Sequence, residues 1–198
     1  NGISATGYAF AAVKDNGSVV TWGGDGGNSS AVANQLQDGV LKIYSNGHAF
    51  AVIKNDGSIV TWGQHLGDTS VLTNQSDSRA KEIYSTEYAF AALKEDGSVL
   101  TWGNANYGGN SDLVSSQINT NVSNIFTTQT AFAAIKDSGS VITWGDSRYG
   151  GDSSNVKSKL RSSIVDFASP FASLVNEKEL IAQSPVINIQ DTSKTPFY

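Results

Sequence analysis

The two histidines of this 198-residue chain, His48 and His65, are its best candidates for acid–base or metal chemistry. Histidine changes its charge near neutral pH and is a frequent metal ligand. His48, however, takes a position that Tyr8, Tyr88 and Thr130 hold in near-copies of the same segment, which indicates a variable loop end. The chain has no cysteine, and it contains no HExxH or GxSxG motif. We therefore predict a protein that is not an enzyme, with no catalytic residue, no cofactor and no metal site.

Four oxygen-rich corners of the sequence have side chains that could bind calcium. Carboxylate and carbonyl oxygens in tight loops bind Ca²⁺, but two of the four side chains are amides, which lowers the charge. The same residue types form Asx turns and cap helices. We therefore favour structural capping at these corners, which are Asn28, Asp68, Asn110 and Asp152.

The elements that must position all of these residues are repeated along the chain. A turn glycine recurs at positions 17, 57, 97 and 139, and a tryptophan follows at positions 22, 62, 102 and 144. The spacings of the glycine are 40, 40 and 42 residues. A period near 40 is typical of a repeat architecture, which takes precedence over any local prediction of secondary structure.

Each unit predicts three strands and a short helical turn. A short apolar stretch is followed by AFAAVK or a variant, then by Asn-Gly or Asp-Gly, and then by SVVTWG. Asn-Gly and Asp-Gly favour a two-residue hairpin turn, so the second and third strands should form a β-hairpin. The second strand is apolar on both faces, with phenylalanine on one and alanines on the other, and such a strand lies between two layers. The units should therefore stack face to face, with small residues against large ones.

These observations predict an all-β, β-propeller-like array of about five repeats of roughly 40 residues. We expect one domain over 1–198, with units at about 3–42, 43–82, 83–124 and 125–163 and a degenerate unit at 164–198. The last unit lacks both the turn glycine and the Trp-Gly pair. A closed ring, an arc completed by further sequence and an open array all agree with this pattern, and we favour the ring.

The repeated pattern, carried by Lys14-Asp15-Asn16-Gly17, Trp22-Gly23 and their copies, resembles a known repeat. It is similar to that of the regulator of chromosome condensation superfamily, and closest to the shorter repeat of the second bacterial β-lactamase inhibitory protein. The resemblance covers residues 3 to about 160. It implies β-propeller blades and functions exerted through loops and rims, such as nucleotide exchange on a small GTPase or inhibitory binding to another protein. The chain differs from that superfamily in two respects. The repeats of the superfamily often carry glycine where this chain has Ser45, Ser85 and Thr127, and the chain has too few units for the seven-bladed ring of the superfamily.

Composition narrows the class of partner. The net charge is −5 and the sequence pI is about 4.9, whereas nucleic-acid readers need a basic face. No apolar run reaches the roughly 18 residues that suggest a membrane span, so we expect neither nucleic-acid binding nor membrane insertion. The chain has no methionine, even at position 1, which suggests a processed or excised piece of a longer product, or a sequence without its start. We expect an extracellular or cell-surface protein, although a cytoplasmic location agrees with the same data.

Two segments diverge between units while the rest stays constant. They are the loop after Trp-Gly and the link between the first and second strands. Neutral drift of surface loops would give the same variation, but tyrosine and arginine are favoured binding anchors and recognition residues often lie on loops. The candidate binding residues are therefore Tyr8, His48, His65, Glu87, Tyr88, Tyr107, Arg148 and Tyr149.

The sequence therefore leaves two hypotheses. The first is a non-catalytic recognition module that binds a protein or a surface glycan through variable loops on one rim. The second is a structural subunit that self-associates through its open terminal units into a filament or larger surface structure.

Overall fold

Four three-stranded antiparallel sheets follow one another along the described part of the chain. They come from a computed structural model that describes residues 2–72 and 79–164. The described residues fall within one compact unit, Asn1–Phe167, of the two into which the chain divides. The predicted degenerate unit, apart from its first residue, lies outside the described residues, so the organisation of 1–198 as a single domain stays a prediction.

The strands of each sheet are adjacent in the order in which they occur in the sequence. The first sheet contains β1–β3, the second β4–β6, the third β7–β9 and the fourth β10–β12. Their bounds are β1 Ile3–Ala5, β2 Ala9–Val13, β3 Val19–Gly23, β4 Val40–Ser45, β5 Ala49–Lys54, β6 Ile59–Gly63, β7 Ala80–Ser85, β8 Ala89–Lys94, β9 Val99–Gly103, β10 Val122–Thr127, β11 Ala131–Lys136 and β12 Val141–Gly145.

The first strands of the second, third and fourth sheets begin earlier than the sequence pattern suggests. β4, β7 and β10 start at Val40, Ala80 and Val122, three residues before the predicted unit limits at 43, 83 and 125. Each contains a register shift directly after its first residue. A β-bulge breaks the alternation of inward and outward side chains. The apolar pattern therefore does not reveal the start of these strands.

The hairpin turn differs from the predicted two-residue turn, and that prediction was wrong. Val13 and Val19 form the last strand pair, Lys14 N–H donates to the Ser18 carbonyl at 2.8 Å, and Gly17 N–H donates to the Lys14 carbonyl at 2.8 Å. The result is a three-residue loop with one left-handed residue. Gly17 has φ 75° and the counterpart glycines have φ between 73° and 81°, whereas the residue before each glycine is not left-handed. Such a loop needs glycine at only one position.

Consecutive sheets bury a small face against a large face. In the first core, Ala9 and Ala11 of the first sheet pack with Phe50, Val52 and Trp62 of the second. The same arrangement recurs between the second and third sheets and between the third and fourth. Ala11, Phe50 and Val52 are fully buried. The predicted stacking of small on large residues is confirmed.

A phenylalanine and a tryptophan form the centre of each large face. Phe50 and Trp62 lie opposite each other on neighbouring strands and stack with ring centroids 5.3 Å apart. The Trp62 indole N–H donates to the Gly26 carbonyl of the preceding unit at 2.9 Å. A side chain at Gly26 would lie 3.1 Å from the Phe50 ring, so glycine lets this loop approach the aromatic pair.

The loop of the second unit breaks this arrangement. Trp144 donates to the Gly108 carbonyl at 3.0 Å, but in the second unit Leu66 takes the place of that glycine. Leu66 packs against the core between the second and third sheets. The Trp102 indole nitrogen, buried in the same core, has no hydrogen-bond partner in the described part of the chain.

The large face of the first sheet is open. Phe10, Val20 and Trp22 are each 46% exposed, and Ile3 is 70% exposed, whereas the counterparts of the first three in the second sheet are at most 5% exposed. Among the described residues, none of the cores covers this face.

Backbone hydrogen bonds join the units at the end of the sheets that carries the hairpin turns, which we call the hairpin rim. Val40 N–H donates to the Gly17 carbonyl at 3.0 Å, and Ala80 N–H donates to the Gly57 carbonyl at 3.0 Å. Val122 and Ile164 make the equivalent bonds in later units. The repeated turn residues therefore set the position of the next unit.

Short 3₁₀ helices lie in the segments that follow the third strand of each sheet. The predicted caps are Asx turns in front of the longer connections. For example, the Asn28 side-chain oxygen accepts a hydrogen bond from Ser30 N–H at 3.0 Å, and Asp152 accepts one from Ser154 N–H at 2.8 Å. The helices span Ser30–Leu36, Ser70–Leu72, Ala105–Tyr107, Asp112–Gln117, Ser147–Tyr149 and Ser154–Leu160.

The repeated tryptophans allow one substitution to be compared at an open and a closed position. We expect Trp62→Ala to lower the free energy of unfolding by about 3–5 kcal/mol because it removes a buried ring. We expect Trp22→Ala to lower it by less than half as much because Trp22 is half exposed. Urea unfolding followed by far-UV circular dichroism measures both. Equal losses would contradict the packing of Trp62 between two sheets.

Candidate binding site

In the four described units, the two variable segments meet at the end of the sheets opposite the hairpin rim, which we call the loop rim. A polar turn shapes each link between the first and second strands. The Thr6 hydroxyl accepts hydrogen bonds from Tyr8 N–H at 3.1 Å and Ala9 N–H at 3.0 Å. Asn46 does the same for His48 in the second unit, at 2.9 Å. The residue at the end of each link is therefore held at the start of the second strand.

The same link residues bind the loop that follows Trp-Gly. The Tyr8 carbonyl accepts a hydrogen bond from Gly24 N–H at 2.7 Å, and the Tyr88 carbonyl accepts one from Asn104 N–H at 2.9 Å. His48 and Thr130 bind their own loops in the same way. Both variable segments therefore belong to one surface.

A ladder of backbone hydrogen bonds holds the links of successive units side by side. Gly7 N–H donates to the Gly47 carbonyl at 2.9 Å, Gly47 N–H to the Glu87 carbonyl at 3.2 Å, and Glu87 N–H to the Gln129 carbonyl at 2.9 Å. Residues about 40 positions apart in the sequence thus become neighbours along the loop rim.

Five aromatic side chains of the loop rim form a continuous row, which we call the aromatic band. The rings of Tyr8 and His48 have centroids 5.8 Å apart, and His48 stacks on Tyr88 at 4.7 Å with 13° between the ring planes. Tyr88 meets Tyr107 at 4.7 Å, nearly edge to face. His65 lies 5.2 Å from both His48 and Tyr88. Three units therefore contribute to a single band.

The aromatic band leads into a groove of about 580 Å³ between the third and fourth units, which we call the end groove. It contains three more of the predicted residues together with side chains that were not singled out. The lining residues are Glu87, Tyr107, Thr128, Gln129, Thr130, Asp146, Arg148 and Tyr149.

The structure thus brings all eight candidate residues to one rim, as two adjoining groups that share Tyr107. Tyr8 and Tyr149, toward the two ends, are 62% and 60% exposed, and His65 and Arg148 are also exposed. His48 and Tyr88 are half-buried between their neighbours.

The charges of the end groove are largely paired with one another. The Arg148 side chain donates to both carboxylate oxygens of Asp146, at 3.1 Å and 2.8 Å, and the Gln129 amide donates to Glu87 at 2.9 Å. The hydrogen bonds from Arg148 hold the pKa of Asp146 below its usual range, so this carboxyl is ionised at neutral pH. Arg148 also stands over the Tyr149 ring, 5.4 Å from its centroid.

The Tyr88 hydroxyl of the aromatic band is protonated at neutral pH and can donate a hydrogen bond. Desolvation, followed by the charge of Glu87, raises the pKa of Tyr88. Two polar atoms of this region, His48 Nδ1 and Thr130 Oγ1, are buried without a hydrogen-bond partner in the described part of the chain.

Sequence reasoning missed Asp146, Gln129 and the threonines of the end groove. Asp146 stands directly after the fourth Trp-Gly, inside the segment recognised as variable, but an Asp in a polar loop gives no local signal of a partner two residues away. Gln129 meets Glu87 from 42 positions away. Only the alignment of successive links indicates that contact.

His65 has an unusual backbone conformation. Its φ is 57°, and only two other non-glycine residues of the described ranges, Asn121 and Ser163, have positive φ. The left-handed region costs an L-residue about 1–2 kcal/mol, although histidine enters it more readily than most residues. Conformations of this kind occur often at functional sites, and this one lies within the aromatic band.

The described ranges hold no group of three or more His, Cys, Asp or Glu side chains placed to bind a metal ion. In the same ranges, every helix is too short or too polar to cross a bilayer.

The fold defines a repeat protein of the β-propeller type, in agreement with the predicted fold class. No family model matches the chain, and no curated protein matches it. Among solved structures, it is similar to Prp20p from Saccharomyces cerevisiae, with a TM-score of 0.52 and 14% identity. The same yeast protein, also called RCC1, in complex with Kap60 gives a TM-score of 0.51 and 14% identity. The ectodomain of the Physcomitrella patens receptor kinase CR4 gives 0.47 and 18%.

These likenesses cover 72% of this chain in each case, but only 43%, 42% and 38% of the three structures. The chain therefore spans less than half the length of these proteins. At such low identity the likeness to Prp20p shows the fold alone.

The backbone of His65 can be tested by substitution. We expect His65→Val to lower the free energy of unfolding by about 1–2 kcal/mol because a β-branched residue resists the left-handed region. We expect His65→Gly to stay within about 0.5 kcal/mol of the wild type, because relief of backbone strain offsets the lost ring contacts. Urea unfolding measures both, and similar losses for the two variants would contradict a left-handed residue at this position.

Proposed function

We propose that the chain is a non-catalytic recognition module that binds a protein or a surface glycan through the loop rim. The observation that carries this proposal is the aromatic band, in which side chains from three units, all at positions that differ between units, touch in one row. Tyrosine combines a large rigid ring with a hydroxyl, and such residues dominate binding surfaces.

The second unit supports the same proposal because its loop after Trp-Gly, which is part of the loop rim, differs from the corresponding loops of the other units. His65 has a left-handed backbone, and Leu66 replaces the glycine whose counterparts accept a tryptophan N–H. Leu66 packs against the core between the second and third sheets, but the Trp102 indole N–H is left without a hydrogen-bond partner in the described part of the chain. The left-handed backbone of His65 adds a conformational cost. Both fit a loop that is shaped for a ligand.

The fold has a binding role in at least one similar protein. Prp20p is described with binding properties to Gsp1p and histones, and the same protein has been solved bound to Kap60. Our proposal includes a comparable binding role for this chain. It also includes a closer relation to the repeat of the second β-lactamase inhibitory protein and an extracellular or cell-surface location.

The proposal is tested by screening the chain against an array of glycans and an array of secreted and surface proteins. We expect at least one ligand whose affinity falls tenfold or more in a His65→Gly/Tyr88→Ala variant, because the centre of the aromatic band is lost. Tenfold corresponds to about 1.4 kcal/mol. Affinities are measured by surface plasmon resonance.

Leu113→Ala is the matched control, because Leu113 is 98% exposed and lies outside the loop rim. Its affinity should equal that of the wild type. Ligands that bind the double variant and the wild type equally, or the absence of any ligand on both arrays, would overturn the proposal.

A second candidate function is self-association into a filament or larger surface structure. The observation that favours it is the open large face of the first sheet, where Ile3, Phe10, Val20 and Trp22 are exposed. Inside the chain the same type of face is buried against another sheet. Contact with a second copy would remove this apolar surface from water.

Light scattering coupled to size-exclusion chromatography tests self-association across a concentration series. We expect particles to grow with concentration, and Trp22→Thr to shift them toward the monomer because it removes the largest exposed ring of this face. A strictly monomeric wild type at the highest concentration would exclude this candidate function. Growth that Trp22→Thr leaves unchanged would place the contact elsewhere.

A further inference from the structure

We propose that the loop rim binds a neutral oligosaccharide, laid along the aromatic band with one end in the end groove. This inference rests on the proposed function and names the chemical class of its ligand. It follows from the shape of the aromatic band, from the polar groups beside it and from its charge.

The shape of the aromatic band favours an extended ligand that lies across it. Successive ring centroids are 4.7–5.8 Å apart, so the rings touch and leave no slot between them. A continuous, partly exposed row of rings offers apolar contact over its whole length. Sugar rings have an apolar C–H face and a rim of hydroxyls, and a chain of them can follow such a row.

The polar groups of the loop rim are suited to sugar hydroxyls, which both donate and accept hydrogen bonds. Tyrosine hydroxyls and imidazole nitrogens lie along the aromatic band, and the end groove adds carboxylate, amide and threonine groups. Carboxylates accept several hydrogen bonds, and an amide donates and accepts at once. The end groove, at about 580 Å³, is within the range of small-ligand sites.

The charge disfavours acidic sugars. Glu87 and Asp146 carry two negative charges and Arg148 carries one positive charge, which leaves the end groove with a charge of −1. Arg148 is held by both oxygens of Asp146, so its guanidinium is already paired. The chain as a whole has a net charge of −5, which repels uronates and sulfates further.

A proline-rich peptide fits this surface less well. Proline-rich peptides insert into grooves between aromatic side chains, and the rings of the aromatic band are closed against one another. A shallow polar surface suits a hydrated sugar chain.

The experiment is isothermal titration calorimetry of the full chain with a panel of oligosaccharides. The neutral probes are cellohexaose, xylohexaose, mannohexaose and laminarihexaose with their disaccharides, and the acidic probe is hexagalacturonate. We expect at least one neutral hexasaccharide to bind at least tenfold more tightly than its disaccharide, because only the longer chain spans several units. Hexagalacturonate should not bind measurably.

Variants separate the role of the ring from that of the fold. For the neutral hexasaccharide, we expect Tyr88→Ala to weaken binding at least tenfold, Tyr88→Phe to retain most of it, and Leu113→Ala to leave it unchanged. Thermal unfolding verifies that every variant is folded. A Tyr88→Ala variant that fails to fold is replaced by His65→Gly, for which we expect at least a threefold loss.

The outcomes distinguish this inference from the proposed function. No binding of any neutral hexasaccharide at millimolar concentration, equal binding of di- and hexasaccharide, or preference for hexagalacturonate would overturn the inference. If a protein ligand from the array depends on Tyr88 while sugars do not bind, the proposed function stands and the glycan inference falls. If neither type of ligand depends on the loop rim, both fall.

Discussion

The nesting of an alanine face against a phenylalanine–tryptophan face is the interaction on which the rest of the structure depends. Ala9 and Ala11 have almost no side-chain bulk, so the ring pair of Phe50 and Trp62 lies directly on the backbone of the neighbouring sheet. Close approach of the sheets is what allows a backbone N–H of one unit to reach a carbonyl of the next at both rims. Larger residues at the alanine positions would separate the sheets and break these bonds.

The two rims then have different tasks. At the hairpin rim the same turn is repeated, because its glycine carbonyl accepts the first backbone N–H of the following unit. At the loop rim the contacts that hold the links are made by the backbone and by one Thr or Asn, so the side chains beyond them vary freely. Sequence variation is therefore confined to surface side chains, and the contacts that hold the links in place do not depend on those side chains. Tyr8, His48, Tyr88 and Thr130 occupy equivalent positions, where tyrosine, histidine and threonine alternate without disturbing the sheets beneath them.

Much of the fold is predictable because the repeat shows each strand several times. The β-branched and aromatic residues, the turn glycine and the alternation of Ala with Phe specify the second and third strands directly. The bulge after Val40 and its counterparts is not predictable, because it interrupts the alternation that marks a strand. The turn type was missed because Asn-Gly occurs in two- and three-residue loops alike, and only the strand register distinguishes them.

The eight candidate residues could be named because they vary, but their arrangement could not be foreseen. Tyr8 and Tyr107 belong to one row only because the links stack through Gly7, Gly47 and Glu87. Asp146 binds Arg148 and Gln129 binds Glu87, and the sequence around Asp146 and Gln129 does not indicate these contacts. Their contacts arise from the direction in which successive units are placed, and that is a property of the assembled sheets.

The backbone ladder of the loop rim has a consequence for how this molecule can change over evolution. In the described part of the chain, each link is joined to the links before and after it through backbone groups that every amino acid except proline possesses. Duplication or loss of one complete unit in the gene would lengthen or shorten the row of surface side chains by one step and leave every remaining step in place. The length of this surface therefore changes in steps of one whole unit, whereas its side chains can change one residue at a time.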